Sequence, residues 1–162
     1  MNDLQKICDF LAEIGIVVRQ ETISEDTLLP GILLDRGDLI VDQQKLKYVG
    51  DLLHEAGHVA VVASEDRTGL SGRLGRTKEE AKGEEMMAIA WSWAAAKHLD
   101  IAPEVVFHDA FKAGGANLRE NFGSGNYFGV PLLQWRGLTW ESQQAQQRGV
   151  AAYPAMIKWM RD

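Results

Sequence analysis

The chain has 162 residues and a mass of 18.0 kDa, the size of one ordinary domain with a single core. Its 46% apolar and 25% charged residues are typical of a folded globular protein and exclude a disordered or fibrous chain. A net charge of −6 opposes direct binding of nucleic acid, which requires a concentrated basic face. We therefore expect one domain over residues 1–162 and no direct contact with DNA or RNA.

The composition of the N-terminus and the single cysteine indicate the compartment and the available metal ligands. Residues 1–6 lack the basic stretch and apolar run of a signal peptide, and later apolar runs are too short to cross a bilayer. We expect a cytoplasmic protein without a membrane partner. Cys8 is the only cysteine, so a metal would have to be held by histidine and carboxylate ligands.

The first 41 residues predict one helix followed by short strands. Apolar residues recur at helical spacing over residues 3–14, behind Asn2 or Asp3 as a cap, and Gly15 ends that helix. A turn at residues 35–38, in which Gly37 can adopt a positive φ, separates two β-branched or apolar runs. The pattern predicts about three antiparallel strands, over Ile16–Arg19, Ile32–Leu34 and Leu39–Val41.

Two long helices are predicted in the middle of the chain. Asp42 can cap the first, which would run to about Ala63. Glycines punctuate residues 64–76, which predicts a mobile loop. Thr77 and Glu80 match a capping box, so the second helix would run from there to about Leu99.

The C-terminal part is predicted to be helical. Pro103 suits the first turn of a helix that Gly114-Gly115 would stop, and residues 121–129 read as an irregular loop. A further helix is expected from Thr139 to Arg148, ended by Gly149, and Pro154 can open a terminal helical stretch. The fold class is therefore α+β, with a small antiparallel sheet packed on helices.

A His-Glu-x-x-His pattern stands at residues 54–58, as His54-Glu55-Ala56-Gly57-His58. In a helix, residues i and i+4 lie one turn apart on one face, so His54 and His58 can direct imidazole nitrogens at one ion. Glu55 lies about 100° around the helix from His54, where it suits a general base better than a ligand. Gly57 weakens a helix by about 1 kcal/mol relative to alanine, which indicates close packing at this point.

A catalytic zinc site commonly has three protein ligands and a water molecule, so a third ligand is needed. Glu84 and Glu85 lie on the second long helix. Glu85 shares its helix face with small residues, whereas Glu84 shares its face with Met87 and Trp91. Sterics favour Glu85. We predict His54, His58 and Glu85 as zinc ligands, with Glu84, His98 and His108 as alternatives to Glu85.

Residues 30–100 resemble the ImmA/IrrE-type zincins. The resembling segments are Gly31–Asp42 with its hairpin, Leu53–His58, and Glu84–Ala90. The resemblance implies a short antiparallel sheet before the His-Glu-x-x-His helix and a glutamate ligand on the next helix. It also implies a zinc metallopeptidase fold, and a DNA-binding repressor or another regulatory protein as a substrate.

The motif predicts a zinc-dependent hydrolase that cleaves a peptide bond. Zinc would activate water, and Glu55 would remove its proton and later protonate the leaving amine. Tyr127 or a later histidine could stabilise the oxyanion, although Tyr127 can equally anchor its loop through aromatic packing. An extended peptide could pair with the edge of the residue 32–41 hairpin. Two alternatives are a metal-binding regulatory protein without proteolytic turnover and an interaction domain without metal.

Overall fold

The computed structural model describes residues 1–71 and 78–162 and has a mixed α+β architecture, with one small sheet and many helices. No helix in these two ranges combines the length and apolar character needed to span a bilayer. The strands are β1 (Val18–Gln20), β2 (Ile32–Asp35) and β3 (Asp38–Val41), and the helices are α1 (Asp3–Ile14), α2 (Gly50–Val61), α3 (Lys78–His98), α4 (Pro103–Val106), α5 (Gly115–Gly123), α6 (Val130–Trp135) and α7 (Ser142–Arg148).

Helix α1 has the bounds that the sequence predicted. The Asn2 side chain accepts a hydrogen bond of 2.8 Å from the backbone N–H of Gln5, which satisfies one unpaired donor of the first turn. Gly15 ends the helix in the left-handed region, with φ 93°. The apolar face of α1 is buried in the core, and its fully or almost fully buried residues are Ile7, Phe10 and Leu11.

The sheet has three strands in the order β1-β3-β2. Strands β2 and β3 form the predicted antiparallel hairpin, and Arg36 and Gly37 at its turn have φ values of 49° and 86°. Two positive φ values at the centre of a turn match the twist of a tight hairpin. The prediction of a wholly antiparallel sheet is wrong, because β1 runs parallel to β3. Residues 21–31 connect β1 to β2, and these two strands are not neighbours in the sheet. Strand β3 lies between them, antiparallel to β2 and parallel to β1.

Helix α2 begins later than predicted, because Asp42 does not cap it. The buried Asp42 carboxylate instead accepts backbone hydrogen bonds of 3.0 Å from Ile23 and 3.0 Å from Gln44. These bonds tie the loop after β1 to the end of β3. The helix therefore begins at Gly50 and ends at Val61.

Helices α2 and α3 pack closely against each other. A Cβ placed on Gly57 would lie 2.9 Å from the carbonyl oxygen of Ala88, so the absence of a side chain at Gly57 permits this approach. Helix α3 ends at His98, close to the predicted Leu99. The predicted cap at Thr77 and part of the predicted loop at 64–76 lie outside the described residues, and Ser64–Gly69 forms a 3₁₀ helix.

The predicted helix from Pro103 to Gly114 is wrong beyond its first turn. Helix α4 ends at Val106, and residues 108–114 form turns. Gly115 begins α5 instead of stopping a helix, and α5 extends to Gly123, so the predicted loop at 121–129 starts inside a helix. Phe107 leaves the helical conformation, with ψ 64°, and its carbonyl accepts a hydrogen bond from the Arg119 side chain instead of continuing the helix.

Two predictions near the C-terminus are also wrong. Thr139 does not cap α7, since its hydroxyl donates to the carbonyl of Ala155 over 2.7 Å, and α7 begins at Ser142. Gly149 ends α7 as predicted, with φ 66°. Residues 150–162, all of which the structure describes, form no helix. Their backbone groups bond to other elements instead, as when the N–H of Arg161 donates to Ala60 at the end of α2.

Candidate metal centre

Helix α2 brings His54 and His58 together at one turn of separation. Their Nε2 atoms lie 3.3 Å apart, and the rings are almost perpendicular at 87°. His54 is only 6% exposed. The two rings are held in place because ten of the twelve residues of α2 are buried, including their apolar neighbours Leu53 and Ala56. The predicted helical spacing thus places two imidazole nitrogens at one point.

Glu85 of α3 completes a group of three. Its Oε1 lies 3.2 Å from Nε2 of His54, and its Oε2 lies 2.9 Å from Nε2 of His58. One ligand atom from each of the three residues lies within 4.8 Å of the others. The structure therefore brings together the three residues that the sequence analysis selected as ligands. Their assignment as ligands stays a prediction.

The geometry of this group fits a metal ion. Zinc binds imidazole nitrogen at about 2.0–2.1 Å, so two ligand atoms at adjacent corners of a zinc tetrahedron lie about 3.3 Å apart. The two Nε2 atoms are 3.3 Å apart, and each lies near one oxygen of Glu85, at 3.2 Å from Oε1 for His54 and 2.9 Å from Oε2 for His58. Two imidazoles and one carboxylate also form a ligand set that zinc accepts. His54, His58 and Glu85 are therefore able to hold one ion.

Glu84 contacts the opposite side of the same histidine. Its Oε1 lies 2.8 Å from Nδ1 of His58, and Glu84 is 7% exposed. A carboxylate that accepts the second N–H of a ligating imidazole fixes the tautomer and the ring orientation. Glu84, considered as an alternative third ligand, is thus placed to orient His58, with its neighbour Glu85 facing both Nε2 atoms.

The charges of the group are strongly coupled. Burial alone would lower the pKa of His58, but hydrogen bonds to Glu84 and Glu85 and the charge of Glu55 outweigh it and raise the pKa to about 9. For Glu85, burial acts to raise the pKa, and hydrogen bonds from His54 and His58 lower it well below its usual range. Because a ligating imidazole nitrogen must be unprotonated, a metal ion and a proton compete for Nε2 of His58.

Glu55 lies beside the group without joining it. It is half-buried on α2, and its charge acts on His58. The group of residues able to hold a metal does not include it. This placement agrees with the expectation that Glu55 is a poor ligand, and its role as a base stays a prediction.

The other candidate residues take part in different contacts. The ring of His98 packs on Phe10 and Trp159, at centroid distances of 5.6 and 5.2 Å. His108 pairs with Asp51, with 2.7 Å between Nε2 and Oδ1. Neither histidine belongs to the metal-binding group found among the described residues.

Tyr127 makes aromatic contacts. Its ring lies 5.4 Å from that of Phe122 and 4.7 Å from that of Tyr153, and Phe128 also packs on Phe122 at 5.1 Å. These contacts agree with the interpretation that aromatic side chains anchor this loop. The role of Tyr127 as an oxyanion donor stays untested.

Sequence reasoning missed three contacts around the centre. The first is the hydrogen bond between Glu84 and His58. The other two are the Asp51–His108 pair and the packing of Phe111 on His54, with ring centroids 4.9 Å apart. The adjacent glutamates were a signal for the first contact. The other two join residues 57 positions apart in the sequence, and no local pattern indicates them.

Comparisons with family models, curated proteins and solved structures found no match to this chain. Evidence about the function therefore comes from the geometry of the site. It has a His54–His58–Glu85 group close enough to bind a metal ion, spaced as a His-Glu-x-x-His helix with a downstream glutamate.

Proposed function

We propose that this protein is a zinc-dependent peptidase of the zincin type, similar to the ImmA/IrrE group. The observation that carries the proposal is the convergence of two imidazole nitrogens and one carboxylate on a single point. Structural zinc sites close all four positions with protein ligands, whereas catalytic sites use three and keep one for water or substrate. Three ligands here favour a catalytic site.

Each side chain of the centre has a separate role in the proposed hydrolysis. Zinc, when bound by His54, His58 and Glu85, would lower the pKa of water and polarise the carbonyl of the substrate. Glu55 accepts a proton from the attacking water and then donates it to the leaving nitrogen, which restores the carboxylate. Glu84 holds the ring of His58 through Nδ1 and so keeps Nε2 directed at the ion.

The substrate in this proposal is a peptide or protein, and the resemblance to the ImmA/IrrE group makes a regulatory protein one candidate. Strand β2 lies at an edge of the described sheet, so an extended peptide could add there through backbone hydrogen bonds. The acidic net charge of −6 opposes nucleic acid as a direct partner. A cytoplasmic location stays a prediction from the sequence.

The decisive experiment replaces Glu55 with glutamine, which keeps the shape of the side chain and removes the base. We expect Glu55→Gln to retain zinc and the fold, and to cleave a peptide library at least about 10²-fold more slowly than the wild-type protein. Glu79→Gln, at an exposed glutamate in the first turn of α3, is the matched control and should cleave at the wild-type rate.

Three outcomes contradict the proposal in different ways. Loss of zinc from Glu55→Gln would make Glu55 a ligand. Unchanged cleavage by zinc-loaded Glu55→Gln would show that another group activates the water. Full zinc content in the wild-type protein without any cleavage of the library would favour the metal-binding regulatory protein.

A further inference from the structure

The two histidines of the candidate metal centre are supported differently. Nδ1 of His58 is bonded to Glu84 over 2.8 Å. Nδ1 of His54 is buried and has no hydrogen-bond partner in the described part of the chain. A ligating imidazole normally has its second nitrogen fixed by a carboxylate, a carbonyl or water. Among the described residues, no hydrogen bond at Nδ1 orients the His54 ring, so contacts of the ring faces and edges have to contribute.

The ring of His54 is held by aromatic packing. Phe111 lies edge-on to it, with centroids 4.9 Å apart and planes at 86°. On the metal side, the ring of His58 lies at 4.9 Å and 87°. Edge-to-face pairs of this kind stabilise one orientation of each ring. Phe111 is 7% exposed, so it has little freedom to move away.

Phe111 is held in turn by a hydrogen-bonded pair that starts on the same helix as His54. Asp51, one turn before His54 on α2, accepts a hydrogen bond of 2.7 Å from Nε2 of His108. Asp51 is 2% exposed. The backbone N–H of Phe111 donates to the carbonyl of His108 over 2.9 Å, so the two residues share one turn. The ring of Tyr48 stacks on His108 at 3.8 Å and 8°, which fixes the other face of the imidazole.

We propose that Phe111 is a positioning residue for His54, and that the Asp51–His108 pair holds Phe111 in place. The proposal rests on the proposed function in one respect, that His54 binds the metal. It extends that function by assigning a role to residues outside the His-Glu-x-x-His helix motif. Side chains that orient a metal ligand typically change metal affinity by about 10–100-fold when they are replaced.

The first test measures zinc affinity of Phe111→Leu by competition with a chromophoric chelator. Leucine keeps an apolar side chain but removes the flat ring, and we expect zinc to bind about 10-fold more weakly. The matched control is Phe122→Leu. Phe122 is also buried in the core, at 1% exposed, and packs on Phe107 and Trp93, and it has no ring contact with His54 among the described pairs. It should lower the free energy of unfolding while its zinc affinity stays within about twofold of wild type.

A double-mutant cycle separates positioning from general packing. In a His54→Ala background, Phe111→Leu should cause no further loss of zinc affinity, because the ring that it orients is gone. The Co²⁺-loaded protein gives an independent readout, since the ligand-field absorption bands should shift in Phe111→Leu and stay unchanged in Phe122→Leu.

The Asp51–His108 pair provides a second set of variants, which keeps the proposal testable if Phe111→Leu does not fold. Asp51→Ala should weaken zinc binding, and Asp51→Asn, which retains an acceptor for His108, should restore most of the affinity. Equal effects of Phe111→Leu and Phe122→Leu on zinc binding would overturn the inference, as would a full effect of Phe111→Leu without His54. A wild-type protein that binds no zinc would instead overturn the proposed function.

Discussion

The two helices of the candidate metal centre contribute to it from different environments. Helix α2 is buried along almost its whole length and carries both histidines. Helix α3 is exposed at its start and becomes continuously buried from Met87, so Glu84 and Glu85 lie at the border between solvent and core. Glu84 faces inward, and the side chain of Glu85 is 39% exposed. The core therefore fixes the two histidines, whereas solvent reaches the centre from the side of Glu85.

The largest expected effect comes from replacing the two histidines of α2. His54→Ala or His58→Ala removes a proposed ligand that the core holds in place, and no other histidine belongs to the group of described residues able to hold a metal. Replacing a residue that only orients a ligand typically lowers metal affinity by about 10–100-fold. We expect each histidine variant to lower zinc affinity by more than this. Elemental analysis of untagged protein and chelator competition measure this loss. If wild-type protein purified without chelators contains no metal, the prediction that His54 and His58 bind zinc is wrong.

Replacements of the two glutamates near the histidines should have unequal effects. Glu85→Gln removes the proposed third ligand, and Glu84→Gln removes only the acceptor for Nδ1 of His58. We expect Glu84→Gln to weaken zinc binding by about 10-fold, as orienting residues do, and Glu85→Gln to weaken it more. Zinc titrations of the two variants under identical conditions test the order.

This pair serves as its own control, since the substitutions are chemically identical and lie at adjacent positions. Metal retention by Glu85→Gln at the wild-type level would move the third ligand elsewhere. A larger loss in Glu84→Gln would assign that ligand to Glu84.

The smallest expected effect concerns the contact between the helices. A Cβ at Gly57 would lie 2.9 Å from the carbonyl oxygen of Ala88, so Gly57→Ala forces α2 and α3 apart. Overpacking costs about 1–3 kcal/mol, and the better helix propensity of alanine offsets about 1 kcal/mol of it. We expect a net loss of about 0–2 kcal/mol in the free energy of unfolding, measured in urea with a chelator present.

Gly83→Ala is the matched control in α3. A Cβ at Gly83 would meet only the side chain of Leu132, at 3.9 Å, so the substitution is expected to stabilise the protein by about 0.5–1 kcal/mol. A Gly57→Ala variant that is as stable as Gly83→Ala would show that the two helices can move apart without cost.

Local patterns in the sequence determined the parts of the site that depend on a single element. The spacing of His54 and His58 suffices to place them on one face, because the pitch of a helix is a property of the backbone. The hairpin turn with Gly37 was predictable for the same reason, since the φ requirement is met within a few residues. The choice between Glu84 and Glu85 used only the sizes of their neighbours, and the structure places Glu85 in the group that can hold a metal.

Tertiary structure decided what depends on residues far apart in the chain. The parallel direction of β1 follows from the course of residues 21–31 across the sheet, which strand patterns do not specify. Asp42 resembles a helix cap in the sequence, but the backbone N–H of Ile23 competes for its carboxylate. The packing of Phe111 on His54 joins positions 57 residues apart, and only the complete core determines which aromatic side chain lies against that imidazole.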